Sequence, residues 1–437
     1  MIKSPGNSCK DVLYFDNNGT TFISNKAQET LKAWSKCANP SSDSKISEPG
    51  KNMISYAKTA FAEYCGAPES DYEIIFTSGA SESNTFVIKQ TAMAYAVVTK
   101  RKPHIVISCI EHHASIAAVN DLLERKSIEV TWLQVDKQGF INTEELRKAI
   151  TPNTCLITIM MANNESGVIL DVYTYSKIAY EHKIPFHTDA VQVLGKAPKV
   201  DMKGNNITML SGSAHKFFGP KGVGILILDK KFVTGYKVKA LVCGTQQNHL
   251  RGGTENIAGI ASMTVALIET IKDRDSKIQK MNVLRAYIIE KLGKEVSLGS
   301  FSEYHDRDDE YKNSYNELIL LSPHHSSSNT TSKALNFNFA CLPNTIFLSI
   351  VKNTGDYFCN IKFKQALDAK KVVVSITSSC LTKEAKASHV LYAMKAPKVV
   401  RKGVIRISFS DYTTKQEVDK FLKIFIDTMR EHLSNSK

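Results

Sequence analysis

No two cysteines in this chain are spaced C-x-x-C, although nine are scattered through its 437 residues. That dispersal excludes the usual zinc-ligand spacing, and a disulfide framework does not suit a chain of this size. Most of the nine are therefore expected as small buried hydrophobes, with one reactive thiol among them. The sequence also lacks any run of the ~20 apolar residues that a bilayer helix needs, so no membrane span is expected. The opening Met1-Ile-Lys-Ser-Pro-Gly6 has neither a signal-peptide core nor an Arg/Ser-rich leader, which makes the cytoplasm the expected location. There are no internal repeats.

Acidic residues are in deficit, 43 against 56 basic ones, for a net charge of +13. The excess is uneven. Residues 361–402 hold ten Lys/Arg, among them Lys383, Lys386, Lys395 and Lys398, against Asp368 and Glu384. A field of that sign would attract an acidic protein or a nucleic acid, but no aromatic stacking platform or recognition-helix pattern accompanies it.

What the sequence does have is alternation. Short apolar runs at Glu73–Phe76, His104–Ser108, Ile128–Trp132, Cys155–Met160, Ile184–His187, Ile207–Leu210 and Gly224–Leu228 are separated by amphipathic stretches such as Ser83–Val98, Thr143–Ile150 and Val172–His182. Strand–helix alternation of this kind predicts an α/β domain around a mostly parallel sheet. Residues 262–293 read as one long connecting helix. Residues 296–332 form a polar insertion, in which His324-His325 is solvated rather than metal-binding, and no metal site is expected. Leu335–Phe339, Val372–Ile376 and Gly403–Ser408 then read as strands of a smaller α+β domain.

In open parallel sheets, ligands sit beyond the carboxyl ends of the strands, and polar residues collect there repeatedly. Thr77-Ser-Gly-Ala-Ser-Glu-Ser83 is a small-residue turn opening a helix, the geometry in which backbone N–H groups hold a phosphate. Glu111 and His112, Asn163 and Asn164, and Asp189 and Gln192 follow other strands. Ser213, Ala214, His215 and Lys216 follow the run ending at Leu210. A lysine crowded by small residues can form a Schiff base with an aldehyde once desolvation lowers its pKa. Singly, each residue has an ordinary explanation; Asp189, for instance, reads equally as a helix cap. Together they supply what a pyridoxal phosphate enzyme requires: an amine, a phosphate cradle, a carboxylate for the ring nitrogen and a planar group for the ring face.

At this point the chain resembles the NifS/IscS-type cysteine desulfurases, within the class V aminotransferase group of fold type I. The matching stretches include Tyr14–Thr21, Asn39–Ser42, Phe76–Ser83, Glu111-His112, Asn163–Gly167, His187–Gln192, Ser213–Lys216 with Gly219–Gly222, Arg251–Gly259 and Ile405–Ser408. They span nearly the whole chain outside the 296–332 insertion. The resemblance implies a large cofactor-binding α/β domain over residues 16–262. A small α+β domain would be made from 1–15 and 263–437.

The resemblance also implies roles. Lys216 would bond the aldehyde of pyridoxal 5'-phosphate and move the substrate α-proton, and Asp189 would pair with the ring nitrogen. Gln192 and Asn164 would contact the ring oxygen or the substrate carboxylate, and His112 would stack on the ring and assist proton transfer. Gly79, Ala80, Ser81, Ser213 and His215 would hold the phosphate, with Thr254 reaching the phosphate of a neighbouring subunit in a homodimer. Arg406 would bind the substrate carboxylate. The nucleophile would be Cys380, eight residues before Ser388-His-Val-Leu391, with Lys383 and Lys386 favouring its thiolate.

The implied reaction converts L-cysteine to L-alanine and passes sulfur through a Cys380 persulfide to an acceptor, as in iron–sulfur cluster assembly. The residues depart from the family at Thr377-Ser-Ser-Cys380 in place of Gly-Ser-Ala-Cys, at Cys243–Gln247 and at Asn17-Asn18. Two alternatives stay open on the sequence: a selenocysteine lyase or aminotransferase of the same group, and a catalytically poor scaffold that binds partners or nucleic acid.

Overall fold

The computed structural model describes residues 11–196, 199–301, 317–323, 340–352, 357–376 and 388–434. Within them the strands run in chain order as β1 (Leu13–Tyr14), β2 (Tyr72–Thr77), β3 (His104–Ser108), β4 (Glu129–Leu133), β5 (Thr154–Thr158), β6 (Phe186–Asp189), β7 (Met209–Ser213), β8 (Gly224–Asp229), β9 (Ser297–Ser300), β10 (Glu317–Leu320), β11 (Thr345–Val351), β12 (Val372–Val373) and β13 (Val404–Ser408).

Seven apolar, β-branched runs form one sheet in the order β2-β8-β7-β6-β5-β3-β4. Strands β3, β5, β6 and β7 are buried along their whole length, as expected for parallel strands covered on both faces. β8 is antiparallel to both of its neighbours, so β2 runs in the same direction as the other five. The carboxyl ends of six strands therefore share one edge. Helices cover both faces and close two apolar cores, one containing Val106, Ile157 and Ile225, the other Ile75, Ile107 and Leu226.

A third core, around Phe15, Leu348, Ile405 and Phe421, backs a four-stranded sheet ordered β13-β11-β10-β9. Along β13, pleating sends Ile405 and Ile407 into this core and Arg406 to the opposite face. β1 pairs in parallel with β12, and Asp16 bridges to Ser408, which ties the start of the described chain to the smaller sheet.

Two readings differ from the structure. The expected long helix over 262–293 is two helices, Ile257–Ile271 and Arg274–Glu295, separated where Asp273 takes a left-handed conformation (φ 55°). Apolar periodicity runs across the break because each helix packs against its own core, so the pattern hides the bend. Among the described residues of the polar stretch 296–332, β9 and β10 pair in parallel within the smaller sheet, and β10 is fully buried. The strand read at Leu335–Phe339, the pair His324-His325 and Cys380 lie outside the described residues.

Candidate active site

The shared carboxyl edge opens into a cavity of about 680 Å³ whose wall contains Lys216, Asp189, His112, Gln192, Asn164 and Arg406. Gly79, Ala80, Ser81, Ser213 and His215 line it as well. All eleven were singled out in the sequence. Thr254 is exposed and is not part of this wall.

Lys216 ends a short 3-10 turn directly after β7. Its Nζ donates to two carbonyl oxygens, Asn18 at 2.7 Å and Gly19 at 2.6 Å. Burial pushes its ammonium down to about 8, and the nearby Arg406 cation adds to this while Asp16 and Asp189 oppose it. A lysine so placed holds a much larger neutral, nucleophilic fraction near neutral pH than a solvated one.

Asp189, at the end of β6, is 4% exposed. One carboxylate oxygen accepts from Asn84 Nδ2 at 2.7 Å and the other from the Val191 N–H at 3.0 Å. Both bonds fix the orientation of the carboxylate in the cavity wall. His112 is the N-cap of the helix His113–Glu124, its Nδ1 accepting the Ala114 N–H at 3.1 Å. That bond leaves the ring proton on Nε2 in the neutral tautomer, and burial lowers the pKa so that the ring stays neutral. Burial likewise holds His215 down at about 4, with Lys216 adding to it. Beneath the site, buried Glu111 is raised well above the carboxylate range by desolvation.

Arg406 is 5% exposed. Its Nη2 donates to Asp16 Oδ1 at 2.5 Å and its Nη1 to the Asn164 carbonyl at 2.9 Å, while Nε is buried without a partner. A guanidinium in the cavity wall suits a carboxylate ligand.

The donor set fits a phosphorylated pyridoxal. The helix Ala80–Thr99 starts at Gly79 with no side-chain cap, so its first backbone N–H groups are left for a ligand. Gly79 has φ +153°, and a Cβ there would enter space where Ser213 Oγ, 3.7 Å away, is the nearest atom. The same glycine lies so close to β8 that a Cβ on Gly224 would stand 2.6 Å from the Gly79 Cα. Small residues here keep an anion-sized recess open, and Lys221 and His215 supply donors at its rim.

Sequence reasoning missed Asn84, Lys196 and Asp16. Asn84 is a polar residue among the apolar positions of a buried helix face, and that signal was available. Asp16 gains its role from Arg406, 390 residues away, whereas Lys196 reaches Gln192 only four residues back.

The Aminotransferase class-V family model matches residues 13–311. Fold and cavity accordingly define an enzyme of the class-V aminotransferase type, a family that works with pyridoxal phosphate. Among curated relatives, a cysteine desulfurase IscS of Dictyoglomus turgidum is 37% identical over 418 residues, covering 95% of this chain and 94% of that protein. Another, from Methanosarcina thermophila, is 34% identical over 415 residues, covering 94% and 90%. A solved NifS-like protein superposes with a TM-score of 0.78 at 28% identity, covering 96% of this chain and all of that one (100%). A structure described as SspA in complex with cysteine superposes at 0.68 with 29% identity, covering 92% and 99%. The chain belongs to the NifS/IscS-like cysteine desulfurases.

Proposed function

We propose that this chain takes sulfur from L-cysteine, releases L-alanine, and carries the sulfur as a persulfide on Cys380, using pyridoxal phosphate anchored at Lys216. The observation that carries the reading is Lys216 itself, a buried amine lowered to about 8 in one cavity with the carboxylate of Asp189. Bound pyridoxal phosphate would supply an electron sink that acidifies the substrate α-carbon.

The chain's own residues do the rest. The uncapped helix start at Ala80 and Ser81, with Ser213 and His215, receives the phosphate. Asp189 holds a positive charge on the ring nitrogen, and the Asn84 amide keeps that carboxylate in line. Arg406 binds the substrate carboxylate. Lys216 takes the α-proton on Nζ, and neutral His112, with its proton on Nε2, covers the ring face. The Cys380 thiolate then forms an S–S bond to the substrate Sγ as the Cβ–Sγ bond breaks. The released electron pair goes to Cβ, which takes up a proton to become the methyl of alanine, and Lys216 returns a proton to Cα, so no outside oxidant or reductant is consumed.

The reading extends to a two-domain division near residue 262 and to a cytoplasmic homodimer in which Thr254 serves the partner's phosphate site. Its sulfur acceptor is an acidic protein. Support for the acceptor comes from Lys398 and Arg401, held over the exposed rings of Tyr357 and Tyr392 at 5.2 and 4.1 Å, on the segment following the Cys380 region. The test is turnover of L-cysteine by wild type and by Cys380→Ser. Wild type forms alanine and sulfide. The variant keeps the yellow cofactor and a borohydride-trapped label on the Lys216 peptide but loses both products. A colourless protein, or full turnover by Cys380→Ser, overturns the reading.

A further inference from the structure

Lys196 is a charged side chain that the reaction above does not use. It is 5% exposed, lies four residues beyond Gln192, and its Nζ donates to Gln192 Oε1 at 3.0 Å. An ammonium can only donate, so this contact fixes which end of the Gln192 amide is oxygen. The amide nitrogen must point the other way, and Nε2 donates to the Asn18 carbonyl at 3.1 Å. That carbonyl also accepts from Lys216 Nζ at 2.7 Å. Lys196, Gln192, Asn18 and Lys216 thus form one hydrogen-bonded chain leading into the cavity.

The surroundings make the lysine costly. Burial, with the Lys216 and Arg406 cations adding, pushes its ammonium down to about 7. On its far side lies a void of about 10 Å³, shared with Arg274, Lys277 and Asp411. Arg274 is paired with Asp275 at 3.1 Å and Asp411 with Lys277 at 3.7 Å. A methionine would occupy this space without desolvating a charge. A merely space-filling role therefore does not account for a lysine.

We infer that Lys196 is a positioning residue: it locks the Gln192 amide so that its N–H₂, never its carbonyl, is offered to the ring oxygen of bound pyridoxal phosphate. The inference rests on the cofactor reading above. Without Lys196 only the Asn18 carbonyl orients the amide, and each time it flips an oxygen would face the anionic ring oxygen.

The test is a cycle of wild type, Lys196→Met, Gln192→Ala and the double variant. Each full-length chain, stripped of cofactor, is titrated with pyridoxal phosphate and followed by the visible band between about pH 6 and pH 9. Lys196→Met should bind about tenfold more weakly at the acid end, the worth of one charge-assisted hydrogen bond. Because the Lys196 charge is present below about 7 and lost above it, the gap should close as pH rises. On the Gln192→Ala background, Lys196→Met should change nothing further. If Lys196→Met does not fold, Lys196→Leu, which likewise has no donor for Gln192 Oε1, replaces it in the cycle. Equal affinities for wild type and variant, a gap that persists to alkaline pH, or full additivity with Gln192→Ala overturns the inference. A wild type that develops no visible band overturns the cofactor reading instead.

Discussion

Asn84 offers a sharp separation of site chemistry from stability. Its Nδ2 donates to Asp189 Oδ2 at 2.7 Å with both residues buried, while its own Oδ1 is buried without a partner. Replacing it by alanine deletes a hydrogen bond to a charged group, worth about 1.5–3 kcal/mol when the partner is left unsatisfied. In the bound enzyme that loss falls on the carboxylate facing the ring nitrogen, so pyridoxal phosphate affinity should drop roughly tenfold to a hundredfold. The fold should barely notice. The substitution also removes the orphan Oδ1, whose burial costs about 1–3 kcal/mol, and places a better helix former inside Ala80–Thr99. With these terms opposed, the melting temperature of the cofactor-free chain should move by less than about 4 °C. The assay pairs a cofactor titration with thermal unfolding of the same preparations. An Asn84→Ala chain that binds the cofactor as tightly as wild type would refute the argument. So would a loss of affinity that merely follows a large drop in melting temperature.

Three further outcomes are expected. Since the neutral amine attacks the aldehyde and the Lys216 pKa is about 8, stopped-flow cofactor loading should rise about tenfold per pH unit below that value and level off above it. Arg406→Lys, which keeps the charge but loses the planar fork that also engages Asp16 and Asn164, should raise the KM for cysteine roughly tenfold or more while sparing kcat, in steady-state kinetics. Gly224→Ala would drive a Cβ to 2.6 Å from the Gly79 Cα and 2.8 Å from the Gly212 carbonyl oxygen, both backbone atoms. Denaturant unfolding should show a loss of about 1–3 kcal/mol, with phosphate affinity falling as the recess distorts.

Much of the large sheet was legible because its strands are self-contained apolar runs bounded by turn residues: His104–Ser108 is a strand with the limits read, and the others shift by one to three residues. The smaller sheet was less legible. Ser297–Ser300 is half-exposed and polar, and it is a strand because β10 supplies its hydrogen bonds, a pairing that local composition does not encode. Asp273 resembles any helical aspartate until its left-handed backbone turns one helix into two.

The chain's linear order already determined which residues carry the chemistry, since the lysine, the carboxylate and the phosphate loop each sit at the end of their own strand. Only the assembled fold decided how they behave. Burial sets the amines of Lys216 and Lys196 near neutrality, and β13, nearly two hundred residues beyond Lys216, delivers Arg406 to the same cavity. Identity is written residue by residue, whereas desolvation and long-range contact exist only after the chain has closed on itself.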